Sequence, residues 1–448
     1  MIDRGRLAEL RAQEEASFIA HNPRSMAHGA ARARHWHQGV PFHWMRDWPS
    51  PCPLVIAKAQ GAEVTSVDGQ TLDDFCLGDT ASMFGHAPPP VVEAITRQAQ
   101  GGYSMMLPTA DADQVGDLLA ARFGLPFWQM TTTASEANRA VIRWCRGITG
   151  RSKILVFNGC YHGAVDDVFV DLRGGVAKTR RSLIGQVADI TVTTCAIEFN
   201  DRSALDKALA AGDIACVLAE PVMTNVGMVL PDPGFLDHVR AATQAHGTLL
   251  VWDETHTISS GWGGHSGAHG PAGDMFVIGK SIGGGVPCAA YGFSAEVAER
   301  MVATRAKLPP GHSGIGTTLS ANALAMAAMR AMLEQVMTRD AYDQMTSIAG
   351  DLVAGLRSVI ARRQLPWHVT NVGARVELIC SPVPPCNGTE ARAAMDHDLE
   401  SLIHLMLVNR GLLLAPFHNM MLVSPATTAR QVARLMSAMD EIAGHMMG

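Results

Sequence analysis

Two groups that could act on one reacting molecule follow two short apolar segments in the middle of the 448-residue chain. Segment 249–252 is followed by Asp253 and Glu254, and segment 275–278 by Lys280 and then three glycines. Apolar runs of this length between turn residues predict buried strands. Because ligands bind at the carboxyl ends of strands in parallel α/β sheets, we expect Asp253 and Lys280 to face one crevice.

A lysine and an aspartate in this arrangement suit pyridoxal phosphate (PLP). Lys280 would hold the aldehyde of that cofactor as a Schiff base, and Asp253 would keep its ring nitrogen protonated. A solvated loop lysine and a helix-capping aspartate are the ordinary interpretations of the same residues. The Gly-Lys-Ser tripeptide at 279–281 also suggests a P-loop, but that motif requires a glycine at position 274, where the chain has Asp274. The spacing excludes the P-loop.

A phosphate site is predicted where small hydroxylic residues lead into a helix. The segment TTTASEAN, residues 131–138, joins a predicted strand at 127–130 to an amphipathic helix. Free N–H groups and the positive end of the helix dipole attract an anion at such a start. An ordinary helix cap with Glu136 in the first turn explains the segment when it is taken alone. Beside Lys280 and Asp253, the phosphate site is the better interpretation.

Further strands of the central region deliver polar groups to the same edge. Tyr161 and His162 follow one predicted strand, and Glu220 and Asn225 follow another. A tyrosine there can stack on a planar ring or simply pack in the core. Apolar runs that alternate with helical patterns predict a doubly wound, mostly parallel α/β sheet. The strands and helices nearer the C-terminus indicate a separate, smaller domain.

Composition limits the function classes. The chain is 47% hydrophobic and 17% charged, which is enough for a large core and two domains. A net charge of −6 offers no basic surface for nucleic acid or an anionic membrane. Nine cysteines without a CxxC pair fit a reducing compartment. The N-terminus is a charged helical pattern rather than a signal peptide, and no apolar run approaches the ~20 residues that cross a bilayer. We therefore expect a cytoplasmic protein.

Six motifs taken together resemble the class III aminotransferases in order and spacing: TTASEAN, GCYHG, AEPVMTNVG, VWDET, GKSIGGGVP and GTTLSANALAMAA. The resemblance extends from about residue 54 to the C-terminus and is closest to the branch that contains glutamate-1-semialdehyde aminomutase. It implies a fold-type I PLP-dependent transferase, with a large domain built on a mostly parallel seven-stranded sheet flanked by helices. We expect an N-terminal segment at 1–75 that joins the small domain and a dimer interface, the large PLP-binding domain at 76–335, and a small α+β domain at 336–448.

The resemblance also implies a role for each matching residue. Lys280 would carry the cofactor and shuttle the α-proton of the substrate, and Asp253 would pair with the pyridinium nitrogen. The other residues would hold the phosphate, stack on the ring or lie near its hydroxyl group: Thr133, Ala134, Ser135, Tyr161, His162, Glu220, Asn225, Thr255 and Thr318. Thr318 would come from the neighbouring subunit, with Thr317 as the alternative, so a homodimer with shared active sites is expected.

Several positions depart from the family pattern. Ala134 stands where glycine is usual, Thr255 where valine is usual, and His256 where an apolar residue is common. The arginine that binds the substrate carboxylate in the aminomutase branch has Arg46 as its nearest counterpart, offset by about one position. The segment 417–419 replaces a glutamate of that branch.

These departures concern the substrate end of the site. We predict that Trp44, Arg46, His418 and Asn419 bind substrate. The aromatic residues around them would form an unusual wall of the substrate pocket, or would only pack at a dimer interface. These residues are Trp36, His37, Phe42, His43, Trp44 and Trp48.

Three functions follow in order of preference. The first is a PLP-dependent transaminase that moves an amino group from an amino acid or amine with an apolar or aromatic part to a keto acid by a ping-pong mechanism. The second is an aminomutase of the glutamate-1-semialdehyde type, or a racemase or epimerase of the same fold. The third is a metal-dependent hydrolase with ligands among Asp253, Glu254, His256, His265 and His269. We expect no metal, because no helix is predicted that would fix His265 and His269 as an i, i+4 pair.

Overall fold

A computed structural model describes residues 4–311 and 313–447. The described residues divide into two compact units. The first contains those within Met1–Pro88, Asp343–Pro384 and Ala394–Gly448, and the second those within Pro89–Tyr342 and Pro385–Ala393. None of the helices in this described part is long and apolar enough to cross a membrane.

The helices, α1 to α14 in chain order, are Arg4–His21, Pro23–Arg32, Pro89–Gly101, Asp111–Phe123, Ala134–Thr149, Arg202–Leu209, Phe235–Ala245, Gly264–His269, Ala295–Ala306, Ala323–Ala331, Arg339–Arg363, Gly388–Ala394, His397–Asn409 and Ala429–Met447. The strands, β1 to β16, are Ile56–Gln60, Glu63–Ser66, Thr71–Asp74, Phe127–Thr131, Lys153–Phe157, Val170–Arg173, Val176–Thr179, Thr194–Ile197, Ile214–Ala219, Leu249–Asp253, Met275–Ile278, Ala289–Phe293, His368–Val372, Arg375–Ile379, Leu412–Leu413 and Met420–Leu422.

The second unit is built on a seven-stranded sheet in the order β4-β12-β11-β10-β9-β5-β8. The strands from β8 to β11 pair in parallel, and β12 runs antiparallel to both of its neighbours. Every residue of β9, β10 and β11 is buried, which explains why these strands are continuous apolar runs rather than alternating ones. The predicted mostly parallel, seven-stranded α/β sheet is confirmed.

Helix α5 packs on this sheet directly after β4. Its buried residues Ala137, Val141 and Cys145 share one apolar core with Val156 of β5 and Val277 of β11. The helix begins at Ala134 and presents its N-terminus at the edge of the sheet where the parallel strands end. The packing of one helix face thus fixes where the predicted phosphate-binding segment lies.

The first unit contains two smaller sheets, β1-β2-β3-β15 and β13-β14-β16. Phe18 of α1 is fully buried against Leu72 of β3, Leu405 of α13 and Leu422 of β16. Residues near both ends of the chain therefore build the core of this unit.

One local expectation is wrong. His265 and His269 do lie on a helix, α8, with their ring centroids 5.3 Å apart. The buried carboxylate of Glu254 accepts hydrogen bonds from the backbone N–H groups of His265 (2.8 Å) and Ser266 (2.7 Å), which stabilises the first turn. Within the part of the chain that the structure describes, no group of three or more His, Cys, Asp or Glu side chains is arranged to hold a metal ion.

Candidate active site

The structure brings Asp253 and Lys280 to neighbouring strand ends. Asp253 is the last residue of β10 and is paired in parallel register with Val277 of β11. Lys280 follows β11 after a single glycine and has a left-handed backbone conformation with φ of 49°. A Cβ atom on Gly279 would lie 3.1 Å from the Cβ of Ala134, so the strand end passes close to the start of α5.

The Asp253 carboxylate is buried and accepts four hydrogen bonds. Its Oδ2 accepts from His162 Nδ1 (2.9 Å) and Asn138 Nδ2 (2.8 Å), and its Oδ1 accepts from the backbone N–H (3.1 Å) and hydroxyl (2.7 Å) of Thr255. Burial alone would raise the pKa of Asp253, but the bond and charge of His162, with the bonds from Thr255 and Asn138, hold it below its ordinary value. The acid is therefore ionised.

His162 is the ionic partner of that carboxylate. Burial alone would lower the pKa of His162, but the hydrogen bond to Asp253 is the largest opposing effect, and the net result raises this pKa to about 10. Asn138 fixes the pair from a third side, because its amide also donates to the backbone carbonyl of His162 (3.0 Å).

The start of α5 has a variant of the capping box, in which the glutamate bonds to the residue before the N-cap. The hydroxyl of Thr133 accepts from Glu136 N–H (3.2 Å), and the Glu136 carboxylate accepts from Thr132 N–H (2.9 Å). The N–H groups of Ala134 and Ser135 lie in the first turn, where no intrahelical acceptor exists, and they can bind an anion.

The loop after β5 packs directly against this helix start. Ser135 Oγ accepts a hydrogen bond from Ala164 N–H (3.0 Å). A Cβ atom on Gly163 would lie 2.2 Å from Ser135 Oγ and 2.8 Å from Ser135 Cα. Only glycine fits this approach.

Glu220 forms a second buried acidic centre beyond β9. Its Oε1 accepts from Asn225 Nδ2 (2.8 Å), and its Oε2 accepts from the Thr224 hydroxyl (2.5 Å). Burial raises the pKa of Glu220 to about 7, although His162, Thr224 and Asn225 act in the opposite direction.

Asn138 and Thr224 were not predicted as site residues, and His256 was named only as a possible metal ligand. His256 Nε2 lies 2.5 Å from Lys280 Nζ, and His256 Nδ1 lies 2.7 Å from Thr224 Oγ1. Asn138 had a usable signal, because it follows Ala134 by four residues and so shares its helix face. Thr224 carried no signal, and His256 was marked only by standing where an apolar residue is common.

Tyr161 and Thr318 lie on loops. Tyr161 is 45% exposed, with its ring edge-on to Phe169 at a centroid distance of 6.2 Å. Thr318 is exposed in a turn, and its neighbour Thr317 places its hydroxyl 3.4 Å from the hydroxyl of Thr132 in the same chain. Stacking by Tyr161 and phosphate binding by Thr318 stay predictions.

The four predicted substrate residues belong to the first unit. Trp44 and Arg46 lie on a short 3₁₀ helix, and Arg46 donates to the carbonyl of Gln38 (3.3 Å). His418 Nδ1 lies 3.2 Å from the buried carboxylate of Glu377, which raises the pKa of His418 against the effect of burial. Asn419 is buried. Their role stays a prediction.

The second unit supplies the donor set that PLP requires. It offers an amine for the aldehyde at Lys280, an ionised buried acid for the ring nitrogen at Asp253, and a helix start for the phosphate at Ala134 and Ser135. The glycine at position 163 keeps this helix start and the adjacent loop in contact. The residues present therefore fit the cofactor.

Comparison with known proteins agrees with this geometry. The model of the family "Aminotransferase class-III" matches residues 45–443. The chain belongs to the class III aminotransferase family. It is a PLP-dependent enzyme of fold type I, and the predicted family, fold and cofactor are confirmed.

Individual relatives carry both aminomutase and aminotransferase names. A glutamate-1-semialdehyde 2,1-aminomutase of Desulfitobacterium hafniense is 34% identical over 372 residues, which cover 81% of this chain and 84% of the relative. The crystal structure of a glutamate-1-semialdehyde aminomutase from Pseudomonas aeruginosa is 48% identical, covers 99% of both chains and has a TM-score of 0.97, and a variant of that protein was solved in complex with PMP. A β-phenylalanine aminotransferase from Variovorax paradoxus is 26% identical, with a TM-score of 0.87 and coverage of 98% and 97%.

Proposed function

We propose that this chain is an aminomutase of the glutamate-1-semialdehyde type, which moves an amino group between adjacent carbons of one small carboxylated amino aldehyde. The observation that carries the chemistry is the Lys280 amine at a strand end beside the buried, ionised Asp253. An intramolecular transfer is the second of the functions expected from the sequence. The names of the relatives that are 34% and 48% identical support it over the first.

The residues of the second unit divide the work of such a transfer. PLP, when bound, supplies an electron sink for the carbon that loses a proton. Asp253 would hold a proton on the ring nitrogen, and His162 and Asn138 orient its carboxylate. Lys280 would hold the cofactor through Nζ and carry a proton between the reacting carbons.

The remaining predicted residues would fix the cofactor in place. The N–H groups of Ala134 and Ser135 would bind the phosphate, and Asn225, held by Glu220, would lie near the ring hydroxyl. Thr255 would pack on the ring. We also propose that Thr318 of a second copy completes the phosphate site, so that the enzyme works as a homodimer on small molecules in the cytoplasm.

A transaminase remains the second candidate because of two residues in the first unit. The aminomutase branch has a glutamate where this chain has His418 and Asn419. His418 is instead paired with Glu377, which raises the pKa of His418 against the effect of burial. A changed charge at a substrate position favours a different substrate, and a β-phenylalanine aminotransferase shares the fold at 26% identity.

Product analysis separates the two reactions. The PLP-loaded enzyme is mixed with glutamate-1-semialdehyde without a keto acid, and formation of 5-amino-4-oxopentanoate is followed by its colour reaction. The aminomutase converts the substrate alone, and Lys280→Ala loses this conversion while its circular dichroism spectrum is unchanged. Turnover that requires pyruvate or 2-oxoglutarate with an amino donor would instead establish a transaminase.

A further inference from the structure

His256 links Lys280 to the buried carboxylate of Glu220. Its Nε2 lies 2.5 Å from Lys280 Nζ, and its Nδ1 lies 2.7 Å from the hydroxyl oxygen of Thr224, which in turn lies 2.5 Å from Glu220 Oε2. Glu220, Thr224 and His256 are all buried. Glu220 and Thr224 follow β9, His256 follows β10, and Lys280 follows β11. Three adjacent parallel strands therefore bring the four side chains together.

When Glu220 is ionised, the hydrogen-bonding capacity of these groups indicates where the protons lie. An ionised carboxylate only accepts, so the single hydroxyl hydrogen of Thr224 is donated to Glu220. The Thr224 oxygen must then accept from His256, which places a hydrogen on Nδ1. A neutral imidazole protonated at Nδ1 has its lone pair on Nε2, the atom that faces Lys280 Nζ.

We propose that His256 is the base that takes a proton from Lys280 when Nζ forms its bond to an aldehyde carbon, and that Thr224 and Glu220 act as positioning residues that keep the proton of the neutral imidazole on Nδ1. In that step the nitrogen–carbon bond forms, the carbon–oxygen bond breaks, and the oxygen leaves as water with the two protons of the neutral amine. His256 carries one of these protons from the nitrogen to the departing oxygen. The inference rests on the proposed role of Lys280.

The surroundings of His256 favour this role. A proton on Nε2 makes the imidazole cationic, and Glu220 Oε2 lies only 3.8 Å from His256 Nδ1. Burial raises the pKa of Glu220 to about 7, so its carboxylate is ionised at pH 8. The other charged groups acting on Glu220 are His162, which stabilises its ionised form, and Asp253, which opposes it. At pH 8 a carboxylate is therefore available to stabilise the imidazolium.

The experiment measures covalent loading rather than turnover. The full-length enzyme is freed of cofactor and mixed with PLP at pH 8, and stopped-flow absorbance gives the rate of imine formation with Lys280. We expect His256→Gln and His256→Met to slow this rate by about 10² or more, the range typical of a lost general base. Thr224→Val should slow it less, by roughly tenfold, because the imidazole remains but its tautomer is no longer fixed.

Two controls separate a chemical role from a structural one. Pyridoxamine phosphate carries no aldehyde, so its dissociation constant should change less than twofold in each variant. In His256→Ala, added imidazole should restore the loading rate in proportion to its concentration. His238→Gln removes a histidine that bonds to Asp206 on the outside of the unit and should load at the wild-type rate.

Loading of both His256→Gln and His256→Met at the wild-type rate would overturn the inference, as would slow loading that imidazole does not rescue. A parallel loss of affinity for pyridoxamine phosphate would also overturn it, because His256 would then only maintain the site. A wild-type chain that forms no imine with PLP would instead contradict the proposed role of Lys280.

Discussion

Gly163 offers a sharp test of the phosphate site. It has φ of 84°, and a Cβ atom placed on it would lie 2.2 Å from Ser135 Oγ and 2.8 Å from both Ser135 Cα and Cβ. The substitution Gly163→Ala therefore adds two costs. The left-handed conformation costs a non-glycine residue about 1–2 kcal/mol, and forcing the loop away from the start of α5 costs a further ~1–3 kcal/mol.

Gly150 provides the matched control. It ends the same helix, has φ of 69° and has nothing within 4 Å of an added Cβ. Gly150→Ala should therefore cost only the strain of about 1–2 kcal/mol. The free energy of unfolding is measured by urea denaturation of the cofactor-free enzyme, and the affinity for pyridoxamine phosphate by titration.

The two variants should differ in both measurements. Gly163→Ala should be about 1–3 kcal/mol less stable than Gly150→Ala and should bind the cofactor more weakly, because the shifted helix start no longer presents its N–H groups correctly. Equal stability and equal affinity in the two variants would mean that the loop does not pack on Ser135 as the structure shows, and the position of the phosphate site would have to be reconsidered.

Three further substitutions test the rest of the site. Asp253→Asn removes the ionised acid, and kcat should fall by about 10²–10³, whereas an unchanged kcat would exclude Asp253 as the partner of the ring nitrogen. In the cofactor-free enzyme, burial raises the pKa of Glu220 from 4.5 to about 7. The folded enzyme therefore loses stability as the pH rises through this window, because Glu220 must ionise in a buried place. Each pKa unit corresponds to about 1.36 kcal/mol. The free energy of unfolding of Glu220→Gln should therefore match that of the wild type at pH 4 and exceed it by up to about 3 kcal/mol at pH 8. A constant difference between the two proteins across that pH range would contradict the raised pKa of Glu220. Thr318→Val should weaken binding of pyridoxamine phosphate about tenfold or more, the value of a hydrogen bond to a charged group, and unaltered binding in a protein shown to be dimeric by sedimentation would remove Thr318 from the site.

The sequence was sufficient for the strands that deliver the chemistry. Strands β9, β10 and β11 are continuous apolar runs between turn residues, and their short length favours buried strands over helices. Asp253 and Lys280 could be placed at one edge for that reason alone. Helix α8 could not be predicted, because its sequence is rich in glycine and the carboxylate that bonds to its first turn belongs to Glu254, outside the helix.

The contacts of His256 lay beyond the sequence for a different reason. Strand register places residues 253 and 277 side by side, but it does not determine which loop side chains meet beyond the strand ends. His256 and Thr224 were visible separately, one as a departure from an apolar position and one as an unremarked neighbour of Asn225. Only the structure shows their 2.7 Å contact, and only the 2.5 Å contact with Lys280 gives that imidazole a reactive partner. His256 contacts both Thr224 and the reactive lysine, and one shared task explains these two contacts together. The loading rates of His256→Gln and Thr224→Val measure that task directly.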